Sequence, residues 1–547
     1  MGARTMQMKN TDNRNYSKQF FSGVAVLAIS TFIVKIIGLF YKIPMMVYLG
    51  AEGMGYFNSA YEIYSLFFVV ATTGIPVAIS ILVSENKTQR KLDNINKIFR
   101  ISLITLGLLG LIGTVLLSVF HKQFATLIKN DASALSILAI SPTVFLICIS
   151  SAIRGYFQGN QTMIPTAVSQ VIEALGKLLL GLGFAIIALN KGYNISQVAA
   201  FAILGLTLGV LISLLYLILY KIFYKIKFSA NESTSSLTES NSQILKQLFI
   251  IAIPITLSST ILSLNKVIDM TMILSRLNAI GYTQKAANAI YGSYSTMAVS
   301  IYNLPATLIT AISLPLVPIL ASAVEALDKE KEKSVISSSL KLTALISFPA
   351  GLGISVFSKQ ILSLLFISQV EEIEYISPLL SLLGISIFLS SMITVTNAIL
   401  QAYKQVGKPI ISMICGVLVK FVFAFILIGI PSINIYGAPI STFFSTVVIV
   451  AINLYFIVKC SGKINSVLKL FIKPFISAFL AIVIGIGLYS IFNKFVNSKA
   501  TIILVIGIVA LIYLVCIIKL KIIDKEEILM IPNGELLIKI LTKIHLL

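Results

Sequence analysis

The sequence predicts an all-α polytopic membrane protein of about fourteen transmembrane helices. They form two six-helix lobes related by a pseudo-two-fold repeat, followed by two extra C-terminal helices. Three observations carry this prediction. Of 547 residues, 57% are hydrophobic and 12% are charged, where soluble domains carry about 25% charged residues; mean hydropathy is +0.96. Apolar runs of roughly 20 residues, enough to cross a hydrocarbon core about 30 Å thick, recur along the whole chain. Basic residues concentrate in alternate loops between those runs.

The apolar runs fall near 20–49, 54–84, 94–120, 134–153, 163–189, 196–220, 245–274, 287–323, 335–357, 375–401, 409–429, 435–458, 471–492 and 500–518. The first run is too long for a cleavable leader, and no small-residue cleavage site interrupts it, so it reads as a retained helix. Residues 1–18 form a short basic tail before it. The two tails and the even-numbered loops, with the span ends that border them, hold 29 of the 42 Lys and Arg residues, and the odd-numbered loops hold 8. Basic loops stay in the cytoplasm, so both termini are expected there. The net charge of +21 is therefore a topology signal, and nucleic acid is excluded as a partner. The chain has no Trp, which leaves 21 Tyr and 32 Phe to serve at the membrane interfaces. Cys148, Cys415, Cys460 and Cys516 are scattered and form no CxxC, and His121 and His545 are remote from each other. No metal or His-based catalytic site is expected.

One polar stretch, Ser229–Ser242, lacks apolar periodicity and reads as a cytoplasmic linker after six spans. It divides the chain into an N-terminal lobe (1–228), the linker (229–242), a C-terminal lobe (243–460) and a pair of helices with a cytoplasmic tail (461–547). The lobes share landmarks. Gln158-Gly159, Pro165 and Lys177 in the first correspond to Gln401-Ala402, Pro409 and Lys420 in the second, with nineteen residues from Gln to Lys in both. Gly74-Ile75-Pro76 before Glu85 corresponds to Ser313-Leu314-Pro315 before Glu325. Transporters built from such repeats place their substrate at mid-membrane.

Charges inside the spans are the functional signal, because each costs roughly 2.5–3.5 kcal/mol at the membrane centre. They are Lys35, Lys42, Glu62, Glu173, Lys177, Lys266, Asp269 and Lys420. Lys35 and Lys42 are seven residues apart and share a helix face, and Lys266 occupies the matching span of the second lobe. Together they predict a cavity that attracts an anion, with diphosphate the natural guest. Lys420 sits mid-span and joins them as a candidate ligand. Glu173–Lys177 (i,i+4) and Lys266–Asp269 (i,i+3) also have the spacing of intrahelical ion pairs. For the first, a purely structural pair and a cavity role stand level; for the second, cavity lining is the better reading. Lys42 has the alternative of reaching to the outer interface. Glu62 either neutralises a lysine or carries a coupling proton. Arg154 opens Arg154-Gly155-Tyr156-Phe157-Gln158-Gly159. By residue physics alone it is a positive-inside anchor before a glycine-broken turn.

The layout of six, six and two spans, with this Arg154–Gly159 segment after the fourth, resembles the multidrug/oligosaccharidyl-lipid/polysaccharide (MOP) exporter superfamily. It is most similar to the stage V sporulation protein B group of polysaccharide transporters, which is related to the MurJ lipid II flippase. Lys35-Ile36-Ile37-Gly38 and Lys42-Ile43-Pro44 also fit. The resemblance covers nearly the whole chain. It implies a flippase of the bacterial cytoplasmic membrane for undecaprenyl-diphosphate-linked sugars such as the peptidoglycan precursor lipid II. It also implies alternating access through a cationic cavity, to which Arg154 belongs, and a groove for the lipid tail on the last two spans. One departure stands out: MurJ-type first spans carry Arg, Gly three residues on, then an Arg-Asp pair, whereas here Lys35 and Gly38 are followed by Tyr41-Lys42.

The expected partners are thus a lipid-diphosphate-linked saccharide and membrane lipids, for a monomer with cell-wall synthesis enzymes as candidate associates. No cofactor is expected; sodium or protons remain open as coupling ions, as does the membrane potential. Two alternatives differ in chemistry. A cation-coupled multidrug exporter of the same fold needs acidic pockets, and buried lysines outnumber buried acids here. A membrane-embedded glycosyltransferase or ligase needs catalytic groups in sizeable outer loops, and the odd loops are short, with Glu371, Glu372 and Glu374 their one acidic cluster. The chain is therefore read as a transporter and not an enzyme.

Overall fold

A computed structural model describes residues 2–89, 91–223, 239–462, 467–496, 501–520 and 522. The expected linker lies outside the described residues as far as residue 238, and so does the tail beyond residue 522. The elements in chain order are α1 (Gly2–Thr72), α2 (Gly74–Thr88), α3 (Leu92–Val119), α4 (His121–Leu127), α5 (Ala134–Gly159), α6 (Ile164–Asn190), α7 (Ile195–Phe223), α8 (Asn241–Ala279) and α9 (Gln284–Ser293). They continue as α10 (Val299–Glu325), α11 (Lys329–Val356), α12 (Ser358–Leu365), α13 (Val370–Ala402), α14 (Gly407–Ile428), α15 (Gly437–Ser461), α16 (Val467–Val496) and α17 (Thr501–Lys519). The described residues form helices and no strands, one of the two architectures that satisfy every backbone hydrogen bond inside a bilayer.

Among the described residues, twelve stretches are long and apolar enough to cross a membrane. The first, Ile29–Thr88, has 60 residues, enough for two crossings. Gly50 lies within it at φ 64, ψ −177, a conformation essentially reserved for glycine. The chain doubles back there. The rings of Tyr41 and Phe57 are 6.0 Å apart, although a straight helix would separate those positions by about 24 Å. That makes two spans of Ile29–Thr88. A continuous helical stretch from Gln284 to Glu325, with a π-helical turn at Tyr294–Ala298, supplies one more. Among the described residues this gives fourteen candidate spans, and the protein is a multi-pass membrane protein.

By packing, the chain divides into two units. The first comprises residues up to Thr296 with Ile428–Ile435, and the second comprises Met297–Leu427 with the remainder after Tyr436. In the first unit α5 packs on α2, α3 and α7; in the second α13 packs on α10, α11 and α15. Spans four and ten thus take equivalent places, as a six-plus-six repeat requires. The packing boundary is not the linker: α8 lies against α1 and α2, and α9 is held in the first unit by buried polar contacts. Asn58 donates to Thr296 (2.8 Å), Asn130 to Ser59 (2.9 Å) and Asn288 (2.7 Å), and Asn288 to the Glu52 carbonyl (2.7 Å).

In the second unit, Asn453 ties three positions, donating to Thr396 (2.9 Å) and Asn397 (2.8 Å) and accepting from Ser412 (2.5 Å). Where α11 begins, Glu332 is fully buried and accepts from Lys329 and from Tyr403. Burial, reinforced by that carboxylate, holds the Tyr403 hydroxyl well above its ordinary pKa. The last two helices pack on α11 through Ala478, Ile482, Val505 and Val509, and Tyr513 donates to the Leu345 carbonyl at 2.8 Å.

Small residues set the tightest helix contacts, as expected where lipid removes the hydrophobic drive for helix association. On α7, Gly205 and Gly209 form a GxxxG face. A Cβ at Gly205 would lie 2.4 Å from the backbone of Leu180 and Gly181, and one at Gly209 would lie 2.7 Å from the Lys177 amide nitrogen. Gly155 and Gly159 do the same for α5 against α2, with Cβ positions 2.8 Å from the Pro76 carbonyl and 2.6 Å from the Val83 Cβ. α5 runs unbroken to Gly159, so the glycine-broken turn expected after Arg154 is replaced by a glycine-lined helix contact. Gly205→Val is expected to force α7 off α6 and to cost about 1–3 kcal/mol. A lowered melting temperature of the detergent-solubilised protein checks this; an unchanged one refutes the contact.

Candidate functional site

The first unit gathers most of the charges singled out in the sequence. The reversal at Gly50 sets the start of α1, with Lys35 and Lys42, beside its second half, with Glu62. α6 brings Glu173 and Lys177, and α8 brings Lys266 and Asp269; both helices pack on α1. Lys35 is within electrostatic reach of Lys266; Lys42 is within reach of Glu62, Lys266 and Lys35; and Lys177 is within reach of Lys42, Glu173, Lys35 and Glu62. Glu62 and Asp269 both act on Tyr291, which places Asp269 in the same group. Lys35 and Lys266 are exposed, and Lys42, Lys177, Glu62 and Asp269 are partly so. Lys42 thus stands within this group of charges.

Arg154 has a different environment. It is 6% exposed. Its guanidinium donates to Ser169 (2.9 Å), to the Glu173 carboxylate (2.9 Å) and to Ser213 (3.2 Å), joining α5, α6 and α7. The i,i+4 pairing of Glu173 with Lys177 expected from the sequence gives way to this bridge, because guanidinium offers several donors in a fixed fork. Lys177 instead lies over aromatic faces: its Nζ is 4.3 Å from the Tyr61 ring centroid, 5.3 Å from Tyr41 and 6.0 Å from Phe57. Lys420 belongs to the second unit, where it is buried on α14.

Sequence reasoning passed over the aromatic residues. Phe57, Tyr61, Tyr64 and Phe68 follow one another on a single helix face, with centroids 6.2, 5.9 and 5.7 Å apart. Their i,i+3/i+4 spacing was legible; that the face meets Lys177 depends on the reversal at Gly50. The Gly205–Gly209 motif was equally legible.

With the Arg154–Glu173 pair neutral, the cluster holds four lysines and the two carboxyl groups of Glu62 and Asp269, a formal surplus of two basic groups. Such an arrangement binds an anion by mobile point charges and releases it without breaking a rigid bidentate contact.

The comparisons with known proteins agree with the fold. Residues 20–325 match the family described as "Polysaccharide biosynthesis protein". The chain belongs to that family, within the MOP superfamily. Residues 292–426 also match the MatE family. Stage V sporulation protein B of Bacillus subtilis (strain 168) is 28% identical over 95% of this chain and 99% of its own length. Lipid II flippase MurJ of the same organism is 25% identical over 74% of this chain and 77% of its own. Among solved structures, a lipid II flippase MurJ in an inward closed conformation superposes with a TM-score of 0.67 at 17% identity, over 90% of this chain and 98% of that one. The protein is a MOP-superfamily transporter of the MurJ and stage V sporulation protein B type.

Removing Arg154 takes from the partly exposed Glu173 carboxylate a charged hydrogen bond, a loss of about 1.5–3 kcal/mol. Arg154→Met alone is expected to lower the melting temperature strongly. Arg154→Met combined with Glu173→Met should recover most of the loss, and thermal unfolding of the three proteins in one detergent decides the point.

Proposed function

We propose that this protein is a flippase that moves an undecaprenyl-diphosphate-linked saccharide, with the peptidoglycan precursor lipid II the leading cargo, from the inner to the outer leaflet. It works in the bacterial cytoplasmic membrane with both termini in the cytoplasm, by alternating access. The observation that carries the reading is the four-lysine cluster with its formal surplus of two basic groups. A lipid-linked diphosphate, with an ionised oxygen on each phosphoryl group, brings a matching charge, and lysine ammoniums are apt point-charge partners for it. Lys35, Lys42 and Lys266 are the substrate ligands on this reading, and Arg154 supports them through its bridge to Glu173. Glu62 and Asp269 temper the cluster, and either serves as the coupling site if sodium or protons drive the cycle. The names of the relatives support the same cargo class.

The MatE match keeps a multidrug exporter as the second reading. A cationic drug would meet four ammoniums in this cluster, and their repulsion opposes its binding.

Complementation tests the proposal. The intact chain is expected to restore growth to a bacterium depleted of its own lipid II flippase, and Lys35→Ala, Lys42→Ala and Lys266→Ala at equal membrane levels are expected not to. Failure of the intact chain at normal membrane levels removes lipid II as cargo; rescue by all three variants removes the lysine cluster as the site. A cationic site that returns empty moves positive charge across the membrane, so the potential is the expected driving force, worth about 2.3 kcal/mol per charge per 100 mV. Collapsing the potential in vesicles should slow transport severalfold, and an unchanged rate rules this energy source out.

A further inference from the structure

The geometry points to Lys177 as a substrate ligand: an ammonium held in reserve on an aromatic box, which moves onto the diphosphate when the cargo enters. This rests on the diphosphate-linked cargo proposed above and extends its site to a fourth helix position, on α6.

Three features make Lys177 unlike a structural lysine. First, the carboxylate that its sequence spacing offered, Glu173, is engaged by Arg154 at 2.9 Å. Second, the ammonium lies against the faces of Tyr61, Tyr41 and Phe57. Ring faces attract a cation but return only part of the hydration it gives up, and within the cluster the attraction of Glu173 and Glu62 is opposed by the repulsion of Lys42 and Lys35. Third, the backbone beneath it is fixed and the side chain above it is reachable. Gly209 approaches so closely that a Cβ there would lie 2.7 Å from the Lys177 amide nitrogen, yet Lys177 and Tyr61 both keep accessible surface. A rigid anchor, a flexible four-carbon stem and a weakly compensated charge describe a group that gains when an anion arrives. The rings hold the ammonium near the site between cycles, and a cation–π contact is weak enough to be exchanged for a charge-assisted hydrogen bond.

The test uses the full-length protein in detergent, with farnesyl diphosphate as probe and titration calorimetry as readout. Lys177→Met keeps an unbranched side chain against the rings without its charge. Its melting temperature without ligand should stay close to that of the intact protein, while its affinity for the probe falls about tenfold, the loss of one charged hydrogen bond. Lys177→Arg should bind within about threefold of the intact protein. A second measurement needs no variant: in the intact protein, farnesyl diphosphate should protect Lys177 from an amine-acetylating reagent, read by mass spectrometry. If Lys177→Met binds the probe as tightly as the intact chain while Lys35→Met does not, Lys177 is a packing residue and the inference falls with the cargo reading intact. Unchanged acetylation of Lys177 under saturating probe overturns it in the same way. If the intact chain binds no farnesyl diphosphate, the cargo reading fails and this inference fails with it.

Discussion

The guanidinium of Arg154 decides how charge is distributed in the first unit. Buried among α5, α6 and α7, it satisfies Ser169, Ser213 and Glu173 at once. A buried carboxylate close to a lysine and a better-placed arginine goes to the arginine, because the fork holds it in fixed geometry and desolvates at lower cost. The result is a local division of labour. One cation and one anion close a neutral structural bridge, and Lys177 is left on the side of the cluster.

That cluster exists because the backbone allows very close approaches at a few places. Gly50 reverses α1 so that Lys42 faces Glu62, twenty residues later in the chain. Gly205 and Gly209 draw α7 onto α6 and fix the backbone under Lys177. Gly155 and Gly159 seat α5 against α2, which holds Arg154 in place. In a bilayer these contacts replace the hydrophobic drive that joins helices in water. Glycines and charges are therefore parts of one arrangement: the first set the distances at which the second act.

The second unit repeats the packing of the first but not its charge. α13 occupies the place of α5, yet in the Gln158–Gln401 correspondence span ten carries Asn397, Ala398 and Ala402 where span four has Arg154, Gly155 and Gly159. Among its described residues a neutral set of buried polar contacts runs through Asn453, Thr396, Asn397 and Ser412, beside the charged contact of Glu332 with Lys329. Repeat architecture thus conserves where helices meet, while the chemistry placed at the meeting points differs between the halves.

Class, span number and repeat were legible in the sequence, because membrane insertion is governed by local properties: twenty apolar residues per crossing and basic loops on alternate sides. The cost of a charge in a helix is also local, so Lys35, Lys42, Lys177 and Lys266 stand out by their positions within apolar runs alone. Partner choice is not local. The i,i+4 spacing paired Glu173 with Lys177, and only the packing of α5 on α7 and α7 on α6 brought Arg154 to Glu173 instead. The aromatic box on Lys177 joins residues more than a hundred positions apart, and it needs both the reversal at Gly50 and the packing of α6 on α1. The sequence by itself determined that these charges had to be compensated within the membrane. The tertiary structure decided by which groups, because in a low-dielectric interior pairing is set by distance and donor geometry, and both come from how the helices pack.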